Sequence, residues 1–271
     1  TLVALGRVEV DAAHVRGVED PALSAEQRSD LQRDVWERLH AILGEAPVNV
    51  LVRDVMGLPA TEFLHTADQQ RSGLIVVGTH QRHGWRRLTG PSFSRNVLTH
   101  VLTNVFCVPA TAASTNLQIP TIRRVLLATD FSPACTEALR HGHSLLPSGG
   151  SLHLLHVCHQ PASGVDPVAA TEVYFDHGID TAAAKKDAEE KLASLPSALL
   201  AVPGVIVSSE VLVHHDIAAA ICDAAVRFEA DVICMGTKGH SRAGVALLGS
   251  TVQAVLARSH KPVFVVTPPL A

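Results

Sequence analysis

Apolar and polar positions keep one rhythm through the second part of the chain. "RRVLLATD" (residues 123–130) is a short apolar run ending in an acid, the pattern of a buried parallel strand. "SPACTEALRHGHSLL" follows, with Ser132 as candidate N-cap and Pro133 at the first helical position. "PSGG" stops that helix, and "SLHLLHV" predicts a second strand. "TAAAKKDAEEKLASLPSALL" is rich in strong helix formers and is interrupted near Pro196. "GVIVSSEVLV" predicts a third strand. "DIAAAICDAAVRFE" predicts a helix capped by Asp216, with Ile217, Ile221 and Ala224 on one face. "ADVICMG" is a fourth strand, "STVQAVLARS" a helix and "PVFVVTP" a fifth strand. Strands alternating with helices predict a parallel sheet with helices on both faces.

The first part repeats this pattern. A shift of 158 residues carries Gly78 onto Gly236 and, without a gap, Ile75 onto Ile233 and Thr79 onto Thr237. The same shift carries Ser92 onto Ser250, Val97-Leu98 onto Val255-Leu256, and Val105-Phe106 onto Val263-Phe264. The register holds over roughly thirty residues, which marks a true internal repeat. Upstream, "RVEVDAAHV" matches the second strand, "SAEQRSDLQRDVWERLHAILG" the long helix and "VNVLVRDV" the third strand. "TLVALG" reads as the last turn of a helix stopped by Gly6. No counterpart of "VLLATD" precedes it, so the first domain is expected to be N-terminally incomplete in this sequence. The small, polar segment Ala110–Thr121 reads as a linker. The expected domains are 1–110 and 122–271.

Composition narrows the function classes. At 47% hydrophobic residues the chain can build real cores, which argues against disorder. Its longest apolar runs fall far short of a membrane span, and its start does not resemble a signal peptide. The net charge of −4 comes without a basic block, which speaks against nucleic acid as a partner. The five cysteines form no CxxC pair and read as small buried hydrophobes of a reducing, cytoplasmic protein. His153, His156 and His159 are three apart on a predicted strand, so they cannot converge on one metal.

The chemistry concentrates in "MGTKGHSRAGVALLGST" (residues 235–251), where glycines are spaced G-x2-G-x9-G. In a doubly wound sheet, ligands bind beyond the carboxyl ends of the strands. Thr129-Asp130, Val157 and Met235-Gly236-Thr237-Lys238-Gly239 all reach that edge. Gly236 and Gly239 are expected to take positive φ and bring backbone N–H groups close to an anion. Gly249-Ser250-Thr251 then opens a helix, whose first N–H groups and dipole favour a phosphate. One exposed helix end contributes only about 0.3–1 kcal/mol, so the loop has to act collectively. Lys238 and Arg242 add positive charge. Asp130 suits a ribose hydroxyl or a metal. The bland alternative is a flexible turn with Ser250 as a simple cap. The spacing is neither a Walker loop nor a dinucleotide fingerprint, and "PSGGSL" reads as a turn.

"RRVLLATDFSPACTEAL", "SLHLLHV" and "DVICMGTKGHSRAGVALLGSTVQAVLARSHKPVFVV" together resemble a universal stress protein domain of the ATP-binding type. The resemblance covers residues 122–271 and, more weakly, residues 1–110, as in a tandem family member. It implies α/β architecture: two doubly wound five-stranded parallel sheets of strand order 3-2-1-4-5. Gly236, Gly239, Gly249 and Ser250 match the family's G-x2-G-x9-G-S/T motif in full. By the same resemblance Asp130 is the acid after the first strand, and the Val157 backbone reads adenine. Thr129 stands beside that acid, and Met235, Thr237 and Thr251 flank the phosphate loop. The implied cofactor is ATP, with Mg2+ as its candidate companion.

In the first half Gln81 replaces Gly239 and Pro91 replaces Gly249, which removes a donor and resists positive φ. That half is expected to bind no nucleotide. Resemblance also implies pairing through the last strands, "NVFCVP" and "PVFVVTP", as an intramolecular pseudo-dimer. Homodimerisation of the whole chain stays open. The expected role is a stress-response sensor or regulator that holds an adenine nucleotide. The alternatives are a slow ATPase or phosphotransferase, and a scaffold without nucleotide.

Overall fold

The computed structural model describes residues 10–16, 23–44, 46–54, 58–79, 93–101, 103–109, 121–160, 181–195, 204–237 and 248–268. The first half supplies β1 (Val10–Arg16), α1 (Ala25–Leu43), β2 (Val48–Asp54), α2 (Pro59–Gln69), β3 (Leu74–Thr79), α3 (Phe93–His100) and β4 (Asn104–Pro109). The second supplies β5 (Arg124–Ala128), α4 (Pro133–Ser144), β6 (Ser151–His159), α5 (Thr181–Ser194), β7 (Ile206–His214), α6 (Ile217–Arg227), β8 (Val232–Gly236), α7 (Ser250–Arg258) and β9 (Val263–Val266). Gly6, the segment 110–120 and the loop 80–92 with Gln81, Trp85 and Pro91 lie outside the described residues.

Two compact units result. The first comprises residues 1–75, 82–102 and 113–121, and the second 76–81, 103–112 and 122–271. In the first unit β1 and β2 pair in parallel, from Val10 opposite Val48 to Arg16 opposite Asp54. The long helix α1 starts on a capping box: Ser24 Oγ accepts from the Gln27 N–H, and Gln27 Oε1 accepts from the Ser24 N–H.

In the second unit the five strands of the C-terminal half run parallel in the order β7-β6-β5-β8-β9, the expected 3-2-1-4-5. β5 lies at the centre, with Val125 opposite both Leu152 of β6 and Val232 of β8. Strand β4 continues the sheet antiparallel to β9, with Phe106 opposite Phe264 and their rings stacked. The two strands named from the sequence are therefore joined edge to edge. This pairing places residues 103–112 in the second unit.

Helices α4 and α5 close one core over β5, β6 and β8, with Leu127, Leu139, Leu152, Leu154, Leu192 and Val232 essentially sealed from water. Each such side chain contributes about 1.5–3 kcal/mol by burial. Helix α4 approaches β8 closely because its inner face is made of small residues. The Cys234 thiol donates to the Ala138 carbonyl at 3.2 Å, and a Cβ on Gly142 would meet Cys234 Sγ at 3.3 Å. Helix α5 ends at Ser194, two residues before Pro196.

The spaced histidines separate, as alternation along a strand requires. His153 stacks on Phe228, and its Nδ1 lies 2.9 Å from Ser208 Oγ. His156 instead turns to Phe131 and the Thr129 carbonyl. Beside His153, burial pushes the Glu210 carboxyl up, but the paired Arg227 and then His153 outweigh this and hold it below its ordinary range. The cysteines are all free thiols, and burial pushes Cys107 up to about 12 and Cys222 to about 11. Among the described residues no group of three or more His, Cys, Asp or Glu is placed to hold a metal, and no helix is long and apolar enough to cross a membrane.

Candidate functional site

At the carboxyl edge of β5, β6 and β8 lies a cavity of about 260 Å³. Eight residues singled out in the sequence line it together: Thr129, Asp130, Val157, Met235, Gly236, Gly249, Ser250 and Thr251. Lys238, Gly239 and Arg242 lie outside the described residues. Thr237 sits beneath this wall rather than in it. Its N–H donates to the Val266 carbonyl, its own carbonyl accepts the Gly249 N–H at 2.9 Å, and its buried hydroxyl has no partner.

The polar wall grows from the sharp turn after β5. The Thr129 hydroxyl accepts the Phe131 N–H at 3.0 Å, and Asp130 Oδ1 accepts the Ser132 N–H at 3.0 Å. Phe131 pays for this turn with a left-handed φ of 64°. His156 stabilises it from β6, donating Nδ1–H to the Thr129 carbonyl at 2.8 Å with its ring 4.6 Å from that of Phe131. The lysine at position 191 lies over the other ring, its ammonium 5.8 Å from the Phe131 centroid. Ser132 occupies the N-cap position of α4, but its side chain makes no cap hydrogen bond.

Two details correct the sequence reading. Gly236 and Gly249 were expected to serve ligand approach, Gly236 through positive φ. Positive-φ glycines among the described residues are Gly44, Gly149 and Gly204. Gly236 is required for another reason: a Cβ there would lie 2.8 Å from Ala134 Cβ and 2.9 Å from the Ala134 carbonyl carbon. Besides lining the cavity, it lets α4 pack closely on β8. At the head of α7 the N-cap is Gly249, not Ser250. The Gly249 N–H is spent on Thr237, and its carbonyl accepts the Gln253 N–H. The donors left to a ligand are the first-turn N–H groups that follow, with the Ser250 and Thr251 hydroxyls.

The family model described as the universal stress protein family matches residues 3–109 and again residues 121–267. The chain belongs to the universal stress protein family. The crystal structure of a universal stress protein from Archaeoglobus fulgidus DSM 4304 aligns over 96% of this chain and 86% of its own, at 21% identity and a TM-score of 0.65. A functionally unknown protein from Pseudomonas aeruginosa PAO1 aligns over 97% of this chain and 83% of its own, at 14% identity and a TM-score of 0.59. A universal stress protein solved in complex with cAMP aligns over 55% of this chain and 98% of its own, at 18% identity and a TM-score of 0.35, too low to bear on this chain's ligand. No curated protein matches the chain significantly.

The pocket of this universal stress protein also holds residues that the motif did not reveal. Leu155, Ile217, Ile221 and Val252 complete an apolar wall with Ala128, Val157 and Met235. Ile217 and Ile221 were legible as one face of a helix, but periodicity does not say what that face covers. Cys135 and His156 also line the cavity. Burial first, and then the Asp130 charge, push the Cys135 thiol up. His156 was legible as part of a rejected metal series and of the repeated second strand, neither of which points to the cavity.

Proposed function

We propose that the C-terminal half of this universal stress protein holds an adenine nucleotide, ATP by preference, and acts as a nucleotide-dependent sensor or regulator in a cytoplasmic stress response. The observation that carries this reading is the composition of the cavity. An apolar slot of Val157, Ile217, Ile221 and Met235 abuts an acid, Asp130, and the N-terminus of α7. Base, ribose and phosphate each meet a wall of matching chemistry. The volume of about 260 Å³ lies near the lower end of small-molecule sites, of order 300 Å³. It suits the nucleoside portion, with the phosphates running along Gly249, Ser250 and Thr251. Lys238 and Gly239 follow β8 directly in sequence and belong to the same proposed cradle. In this reading Asp130 takes the ribose hydroxyl; the alternative use of the same carboxylate is to hold Mg2+ accompanying the phosphates.

A holding role suits the polar residues of the site better than turnover. His156 spends Nδ1–H on a backbone carbonyl, and the Cys135 thiol points its hydrogen at Asp130. These uses shape the pocket. In the first half, Gln81 and Pro91 break the motif, so that half serves as a partner without nucleotide, an intramolecular pseudo-dimer mate. Calorimetric titration of the whole chain with ATP and Mg2+ tests the reading. One site per chain is expected, with hydrolysis near the uncatalysed rate. Two sites would reject the asymmetry, and no binding would reject the assignment.

A further inference from the structure

The Asp130 carboxylate is gripped from two directions. The Ser132 N–H reaches Oδ1 from the turn, at 3.0 Å. The Cys135 thiol reaches the same oxygen from the first turn of α4, also at 3.0 Å, much closer than its other acceptor, the Ala128 carbonyl at 3.9 Å. A single turn contact leaves a carboxylate free to swing about its χ angles, whereas a second donor on a rigid helix fixes the plane of the group. Cys135 is 7% exposed, lines the cavity with Asp130, and is anchored two residues after Pro133. The other deeply buried thiol of this helix contact, Cys234, gives its hydrogen to a backbone carbonyl and does not line the cavity.

We propose that Cys135 is a positioning residue: its thiol aims Asp130 at a ribose hydroxyl and so makes the site select ribonucleotides over deoxyribonucleotides. This inference rests on the nucleotide reading above. Alanine at this position removes the donor on the helix and leaves the other contacts of Asp130, the Ser132 N–H among them, so the acid stays in place but loses the hold from α4.

The test titrates ATP, 2′-deoxy-ATP and 3′-deoxy-ATP into the wild-type chain, Cys135→Ala and Cys135→Ser. One hydrogen bond of this kind corresponds to a roughly 3–10-fold change in affinity. Wild type should prefer ATP over at least one deoxy form by about that factor. Cys135→Ala should weaken ATP by a similar factor and that deoxy form by less than about twofold, and Cys135→Ser should restore the preference. If alanine does not fold, Cys135→Val supplies the donor-free side chain of similar volume. Equal losses for all ligands would show a packing role and overturn the proposal, as would an unchanged ribose preference. Wild type that binds none of the three would overturn the nucleotide reading itself, a result distinct from a failure confined to the variants.

Discussion

Gly236→Ala separates two explanations of a glycine in a phosphate-loop motif. If the glycine exists for ligand approach, alanine should cost affinity and leave the apoprotein stable. The geometry requires the opposite order. The new Cβ would stand 2.8 Å from Ala134 Cβ, 2.9 Å from the Ala134 carbonyl carbon and 3.1 Å from its oxygen. Ordinary carbon contacts begin near 3.5 Å, so α4 or the end of β8 has to move by about 0.7 Å. Two of the three obstacles are backbone atoms, which cannot rotate away. Overpacking of this kind costs roughly 1–3 kcal/mol, against about 0.4–1 kcal/mol regained from a stiffer unfolded chain. A net loss of roughly 1–2 kcal/mol lowers Tm by about 2–8 °C in a unit of this size. The repeat provides its own control, because a Cβ on Gly78 meets nothing within 4 Å. Gly78→Ala should stay within about 0.5 kcal/mol of wild type. Thermal and urea denaturation without nucleotide, followed by circular dichroism, reads both variants. A stable Gly236→Ala apoprotein, or equal losses at the two glycines, would refute the packing argument.

Further consequences concern the frame around the pocket. Asp216 caps α6 through the Ala219 N–H at 3.0 Å and pairs with Arg258 of α7. Asp216→Ala should cost about 1 kcal/mol at neutral pH, measured by urea denaturation. The Arg258 hydrogen bond, followed by the Ala219 N–H, holds the Asp216 carboxyl below its ordinary value of 3.8. A depressed folded value means that the contribution is present above about pH 4 and fades as pH falls through the lower folded value. The gap between wild type and Asp216→Ala should therefore narrow in acid; a gap that widens would contradict the assignment. Leu154 is fully buried in the core shared by α4 and α5, and Leu154→Ala should destabilise by about 2–5 kcal/mol in the same assay.

Much of the architecture was legible in the sequence, because parallel strands buried on both faces are written as continuous apolar runs and their helices as periodic ones. The internal repeat gave the two halves, and of the two expected caps Asp216 accepts the Ala219 N–H while Ser132 takes its N-cap position without a side-chain cap bond. Strand ends are set by the same runs, so the convergence of Asp130, Val157, Met235 and Gly249–Thr251 at one sheet edge followed from topology alone.

What the chain's order could not say is which atom each group spends on its neighbours. Gly236 reads as a ligand-facing glycine alone until Ala134, 102 positions away in sequence, is seen against it and adds a packing demand to its place in the cavity wall. The Gly249 N–H reads as a phosphate donor until Thr237 is found accepting it. Cys135 reads as an inert filler until its thiol is found on Asp130. Local propensity and hydrophobic period determine elements and their order. Close packing and hydrogen-bond partners are decided between elements distant in sequence, and they exist only once the helices have docked on the sheet.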